Sequence, residues 1–220
     1  MPDEPNSLGA LPDILPVFPL TGVLLLPRGR LPLNIFEPRY VAMTRDAMES
    51  ERLIGMVQPS DPPIREMNPA VYPTGCAGRI TSFSETDDGR FLITLTGVSR
   101  FRIKEELPLL SGYRRVVAEW GEFSGDRNPD DADFDRARLV HGLRHFFTQR
   151  QVSADWSAIE QVPAEHLVTS IAMMCPFAPN EKQALLEAHD LGERARLLTA
   201  LIEMTASAPS PDPEGGVTRH

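Results

Sequence analysis

Phosphate-binding loops and Ser-Lys hydrolase dyads both need a lysine, and this chain has two, Lys104 and Lys182. A phosphate loop reads G-x-x-x-x-G-K-[ST], because backbone N–H groups cradle the phosphate while the lysine neutralises it. Lys104 follows Ile103 and Lys182 follows Glu181, so neither fits that pattern. A dyad lysine must be desolvated to act as a base. Lys104 ends a run with Arg100 and Arg102, and Lys182 falls in a helix's first turn, so neither is expected to be desolvated. His141 and His145 have the i, i+4 spacing of two metal ligands, but position 142 is Gly where a metalloprotease has its glutamate base. Their face also carries Arg138, Thr148 and Gln149, which marks it as solvated. Cys76 and His166 would make a nucleophile–base pair only if folding brought them together. Cys175 lies on an apolar helix face and is expected to be a buried thiol. The aspartates between 126 and 135 lack the ligand spacing and closing glutamate of a calcium loop, and read as a solvated linker. No catalytic, metal or cofactor site is expected.

The elements that would position these residues change in kind near residue 121. Before it, short apolar runs broken by Pro and Gly read as strands at 15–20, 23–27 and 113–120. Residues 90–98 alternate, with Phe91, Ile93 and Leu95 on one face. Residues 99–104 alternate too, with Phe101 and Ile103 inward and Arg100, Arg102 and Lys104 outward. Asp87-Asp88-Gly89 is the expected turn between antiparallel strands, since glycine takes positive φ at little cost. Many short strands with irregular turns argue for a closed or partly closed barrel.

After residue 121 the period is helical. Leu139, Val140, Leu143, Phe146 and Phe147 make one stripe over 133–151. Leu167, Val168, Ile171, Met174 and Cys175 make another, which Pro176 stops. Asn180 with Gln183, and Asp190 with Glu193, have the spacing of helix caps, and the last helix buries Leu191, Ala195, Leu198 and Ile202. The expected class is α+β. A disordered tail (1–13) precedes a β-rich barrel (14–120), a polar linker (121–133), a helical bundle (134–205) and a second disordered tail (206–220).

Residues 35–40, IFEPRY, form the seam between a strand and a helix. Pro38 suits the first helical position, where its missing N–H costs nothing. Glu37 stands where an acid favours the positive helix N-terminus, and Tyr40, Met43, Ala47 and Met48 follow at helical spacing.

A net charge of −9 argues against a phosphate-tracking surface, whose affinity comes from clustered Lys and Arg, so nucleic acid is not an expected partner. No run approaches the roughly 20 apolar residues of a membrane span, and the acidic start MPDEPNSLGA lacks a signal peptide's pattern. The cytoplasm is the expected compartment.

The stretch LPVFPLTGVLLLPRGRLPLNIFEPRYVAMTRDAM resembles the opening of the Lon N-terminal, substrate-binding domain family. The resemblance continues through YPTGCAGRITSFSETDDGRFLITLTGVSRFRI and CPFAPNEKQALLEAHDLGERARLLTALIEM, spanning about residues 14–204. It implies a PUA-like pseudobarrel followed by a helical bundle, and a non-catalytic module that binds polypeptide segments, as an adaptor in protein quality control. The ATPase and Ser-Lys protease domains that follow this domain in Lon have no counterpart here, so a free-standing member is expected. Phe36, Glu37, Arg39, Tyr40 and Arg79 are the candidate protein-binding residues. The alternatives are a hydrolase or a small-ligand sensor using a cleft between barrel and bundle.

Overall fold

The computed structural model describes residues 11–60, 68–128 and 132–207. Residues 1–10 and 208–220 of the expected tails, and Asp130 and Asp131 of the acidic run, lie outside the described residues. Six strands form one mixed sheet: β1 (Ile14–Pro19), β2 (Arg30–Ile35), β3 (Leu53–Val57), β4 (Thr74–Glu85), β5 (Phe91–Leu110) and β6 (Tyr113–Glu119). Their order is β2-β5-β4-β3-β1-β6, and β6 pairs back onto β5. Five strands therefore close into a barrel, while β2 adds an edge beside the first half of β5. Only β1 and β3 run parallel.

The length of β5 makes this closure possible. The two alternating runs at 90–98 and 99–104 are one strand of 20 residues. Its first half pairs with β2 and β4, and its second half with β6. The turn into it uses Gly89 at φ 77, as the Asp-Asp-Gly pattern requires. Residues 23–26, expected as a strand, are not one. Leu24, Leu25 and Leu26 are buried, yet their segment crosses the barrel as a loop held by isolated contacts. The Leu20 N–H donates to the Val57 carbonyl at 3.0 Å, and the Gly22 carbonyl accepts from Lys182 at 2.8 Å. An apolar run reports burial, not backbone pairing.

The helices are α1 (Pro38–Met48), α2 (Arg136–Gln149), α3 (Trp156–Gln161), α4 (Ala164–Met174), α5 (Pro179–Glu187) and α6 (Leu191–Ser207). A 3-10 turn, Gly121–Arg127, lies inside the segment read as a polar linker, and its Phe123 is buried. Asn180 does not cap α5. Proline at 179 takes the first helical position, and the Glu181 carboxylate instead accepts the Ala178 N–H at 2.7 Å. The Asp190–Glu193 device is present: Asp190 accepts the Glu193 N–H at 2.7 Å, and Glu193 accepts the His189 N–H at 2.7 Å. Met174, expected on the buried stripe of α4, is 76% exposed because the helix ends there and Cys175 takes the inner place.

Two apolar clusters result. Leu15, Val17, Val57, Ala77, Phe101 and Val116 fill the barrel interior. A larger cluster begins on the barrel's outer wall, at Phe18, Met56 and Cys76, and runs through Met43 of α1 to Leu167 and Leu198 of the helices. The outer wall of the barrel is therefore the packing surface of the helices. This overturns one expectation. Arg100 does point out of the barrel, paired in register with Cys76, but it is only 3% exposed because helices cover that side.

Candidate binding surfaces

At the seam, Glu37 is the N-cap residue of α1 with extended backbone (φ −68, ψ 131). Its carbonyl accepts the Tyr40 and Val41 N–H groups, each at 2.9 Å. Its carboxylate makes no capping bond and instead pairs with Arg39, at 3.0 Å to Nε and 2.9 Å to Nη2. The Arg39 guanidinium lies 4.5 Å above the Tyr40 ring. Tyr40 is 5% exposed and packs on Phe18 with ring centroids 4.2 Å apart, so it braces the surface without meeting solvent. Burial, above the opposing effect of Arg39, raises its hydroxyl pKa. Phe36 is 64% exposed. Arg79 is not beside them; it donates to the Glu51 carbonyl at 3.0 Å, beyond the far end of α1.

The sheet nevertheless joins Phe36 and Arg79. Arg30, Thr96 and Arg79 form one row across β2, β5 and β4. Pro32, Thr94 and Ser82 form the next row, and Asn34, Leu92 and Ser84 the third. These side chains share the face opposite Leu31, Leu33 and Ile35, which pack against the core. Between the two arginines at one end and Phe36 beyond the other, Pro32, Asn34, Ser82, Ser84, Leu92 and Thr94 carry no charge. Leu92 is 45% exposed. Six residue steps lead from Arg30 to Phe36, about 20 Å of extended chain.

A second feature is the cleft between the barrel and the helices. A cavity of about 470 Å³ there is lined by Arg28, Arg100, Asp126, Glu165 and Arg194 among others. Arg100 binds Asp126 through Nε at 2.9 Å and Nη2 at 2.7 Å. Arg28 pairs with Glu165 and donates to the Asp126 carbonyl at 2.6 Å. Asp126, read as part of a solvated linker, is thus a buried partner of the barrel. None of these residues carries a sequence signal, because an arginine in an alternating strand looks solvent-facing.

The residues first considered for chemistry are dispersed. His141 and His145 are exposed on α2, and His145 contacts Gln149 at 3.0 Å. Cys76 is buried while His166 is exposed on α4. Burial drives the Cys76 thiol pKa far up, and pushes Cys175 up to about 11, so both stay protonated near neutrality. Lys104 is exposed as expected, but Lys182 is not: it is 7% exposed, bonded to the Gly22 carbonyl, and burial lowers its pKa. Its neighbour Gln183 donates to the Thr74 carbonyl at 3.2 Å, so this turn of α5 is a polar tie to the barrel. No helix among the described residues is long and apolar enough to cross a membrane.

The fold is that of an α+β module built on a mixed six-stranded sheet whose outer wall carries the helices. The chain belongs to the family of the substrate-binding domain of ATP-dependent protease La (Lon), whose model matches residues 14–204. It is 26% identical to Lon protease 2 of Myxococcus xanthus over 201 residues, covering 87% of this chain and 24% of that protein. It is 28% identical to Lon protease of Parabacteroides distasonis, covering 90% of this chain and 25% of that protein. The chain thus spans about a quarter of the length of these curated relatives. Among solved structures, the Lon N-terminal domain protein from Xanthomonas campestris matches with a TM-score of 0.59 at 25% identity, over 85% of this chain and 97% of that one. The N-terminal domain of the Mycobacterium avium complex Lon protease shares the fold, with a TM-score of 0.57 at 16% identity, over 86% and 97% of the two chains.

Proposed function

We propose that the protein binds polypeptide segments along the open face of β2, β5 and β4, from Arg30 and Arg79 to Phe36, without catalysing a reaction on them. The observation that carries this reading is the uncharged face itself, in a chain of which 24% is charged. Its length of about 20 Å suits some six extended residues. Family membership supports the same reading, because the matched model describes a substrate-binding domain. Side-chain packing on the face is favoured over strand addition at the edge, since Pro32 in β2 offers no N–H to a new strand. The net charge of −9 favours apolar or basic segments, and the ordering of a flexible chain keeps affinity weak. Phe36, Leu92 and Arg79 are the contact residues of this reading, with Glu37, Arg39 and Tyr40 fixing the start of the helix that follows Phe36. In a cell such a module would serve as an adaptor in protein quality control.

The test is an NMR titration of the full chain with an unfolded model protein. Shifts should concentrate on Phe36, Leu92 and Thr94. Phe36→Ser and Leu92→Ser should each weaken binding about tenfold or more while the thermal midpoint stays within the range of surface substitutions. Met204→Ser on α6, equally exposed, should change nothing. Shifts confined to α2–α6 would overturn the assignment.

A further inference from the structure

A surface cation that no carboxylate answers is available to a ligand, and its field reaches about 10 Å before salt screens it. None of the ion pairs among the described residues engages Arg30 or Arg79, the two arginines at one end of the open face. Arg30 is exposed. It shares a cavity wall with Glu165, but that carboxylate is engaged by Arg28. Arg79 is half-buried and tied through Nη1 to the Glu51 backbone carbonyl, which leaves its charge uncompensated. The two stand on the strands either side of β5, in the row of Thr96, so their Cα atoms are about 10 Å apart.

The other end of the face has the opposite sign. Ile35, Phe91 and Glu85 share the last row, so Phe36 and the turn from Thr86 to Arg90 follow it directly. There Arg39 pairs with Glu37 and Arg90 with Asp88, which leaves Asp87 exposed and in no ion pair. Between the two ends the face is uncharged, so a charge on a bound segment meets a partner only at an end. An extended segment turns every second side chain to the same side, and six steps of it span the distance from Arg30 to Phe36. Both ends are filled at once only at an even spacing.

We propose that the segments bound here carry one acidic side chain and, six positions away, a large apolar one. The acid pairs with Arg30 in the field that Arg79 adds, and the apolar side chain packs on Phe36. This rests on the polypeptide-binding reading above and names the sequence class that the face selects. Asp87 sets the polarity, because an acid at the Phe36 end meets a like charge. The net charge of −9 disfavours segments rich in acids, so a single acid among uncharged or basic neighbours suits both the distant field and the local one.

The experiment titrates the full chain, by NMR, with capped nine-residue peptides of serine and alanine that carry leucine four and six positions from a glutamate. The Phe36 ring and the Thr96 amide report the two ends. The glutamate peptide should bind about fivefold tighter than its glutamine counterpart at low ionic strength, and the gap should close in high salt. Moving the glutamate one position nearer the leucines makes the spacing odd and should erase the gain. Arg30→Glu, at an exposed position, should reverse the preference, so that a lysine peptide binds better than the glutamate one. Arg79→Gln should shrink the gain without reversing it. If glutamate and glutamine peptides bind alike while Phe36 still shifts, if the odd spacing binds equally well, or if Arg30→Glu leaves the preference unchanged, this inference fails and the polypeptide face stands. If no peptide shifts Phe36, Leu92 or Thr96, both fail.

Discussion

Arg100, in the middle of β5, and Asp126, in the 3-10 turn that follows the barrel, form a two-pronged ion pair with side chains only 4% and 9% exposed. The same guanidinium donates to the Leu186 carbonyl at 3.0 Å and to the Ala188 carbonyl, both at the C-terminal end of α5, where a helix presents partial negative charge. One side chain thus ties the barrel to the turn and to the helical half. Arg100→Met removes the cation bound to the buried Asp126 carboxylate and should cost about 3–5 kcal/mol, whereas Arg100→Met with Asp126→Leu should recover much of that loss. A double-mutant cycle from urea denaturation measures the coupling. A cost below about 1 kcal/mol for Arg100→Met would show that the pair does not hold the halves together.

Gly97 is where the loop over residues 23–26 presses on β5. A Cβ at this position would lie 2.0 Å from the Leu26 carbonyl oxygen. The contact cannot relax freely, because the Gly97 N–H donates to the Gly29 carbonyl and its own carbonyl accepts from Arg28, both at 2.8 Å. Gly97→Ala should destabilise by about 3 kcal/mol, the upper part of the range for overpacking. Gly22→Ala makes a useful contrast: it meets nothing within 4 Å, and any cost there is due to its φ of 72. Equal urea midpoints for Gly97→Ala and the parent would refute the close approach.

Glu37→Ala separates two roles that look alike in the sequence. Loss of a side-chain cap costs about 0.5–2 kcal/mol, and loss of an exposed ion pair about 0.2–1 kcal/mol. The carboxylate makes only the ion pair with Arg39, so the smaller range is expected. Thermal unfolding of Glu37→Ala checks it; Arg39→Ala, which also loses the contact with the Tyr40 ring, should cost more.

The Tyr113 hydroxyl donates to Asp46 at 2.7 Å, joining β6 to α1. Burial first, and then this bond and the Asp46 charge, raise its pKa from 10.0 to about 12. The folded state therefore holds the proton more tightly than the unfolded chain does. The stabilisation is complete below pH 10.0 and is lost as pH rises through about 12. An absorbance titration of the phenols should show a late ionisation that Tyr113→Phe removes. A Tyr113 phenol ionising at its ordinary value would contradict the burial described.

Local geometry was written in the chain. The alternation of Phe91, Ile93 and Leu95, the Gly89 turn, the Asp190–Glu193 cap and proline at the start of α1 each depend on neighbours a few residues away, so their residue types suffice to specify them. What no local pattern holds is which surfaces meet. Alternation correctly turned Arg100 out of the barrel, but only the docking of helices nearly ninety residues further along the chain made that outside an interior. The same docking buried Lys182 and Asp126, and left Leu24–Leu26 covered without a strand's ladder. Phe36 and Arg79 could be picked out singly, yet their place on one face follows from the register of β2 and β4 on β5. Periodicity tells a side chain which way to point; the packing of distant elements decides whether water is waiting there.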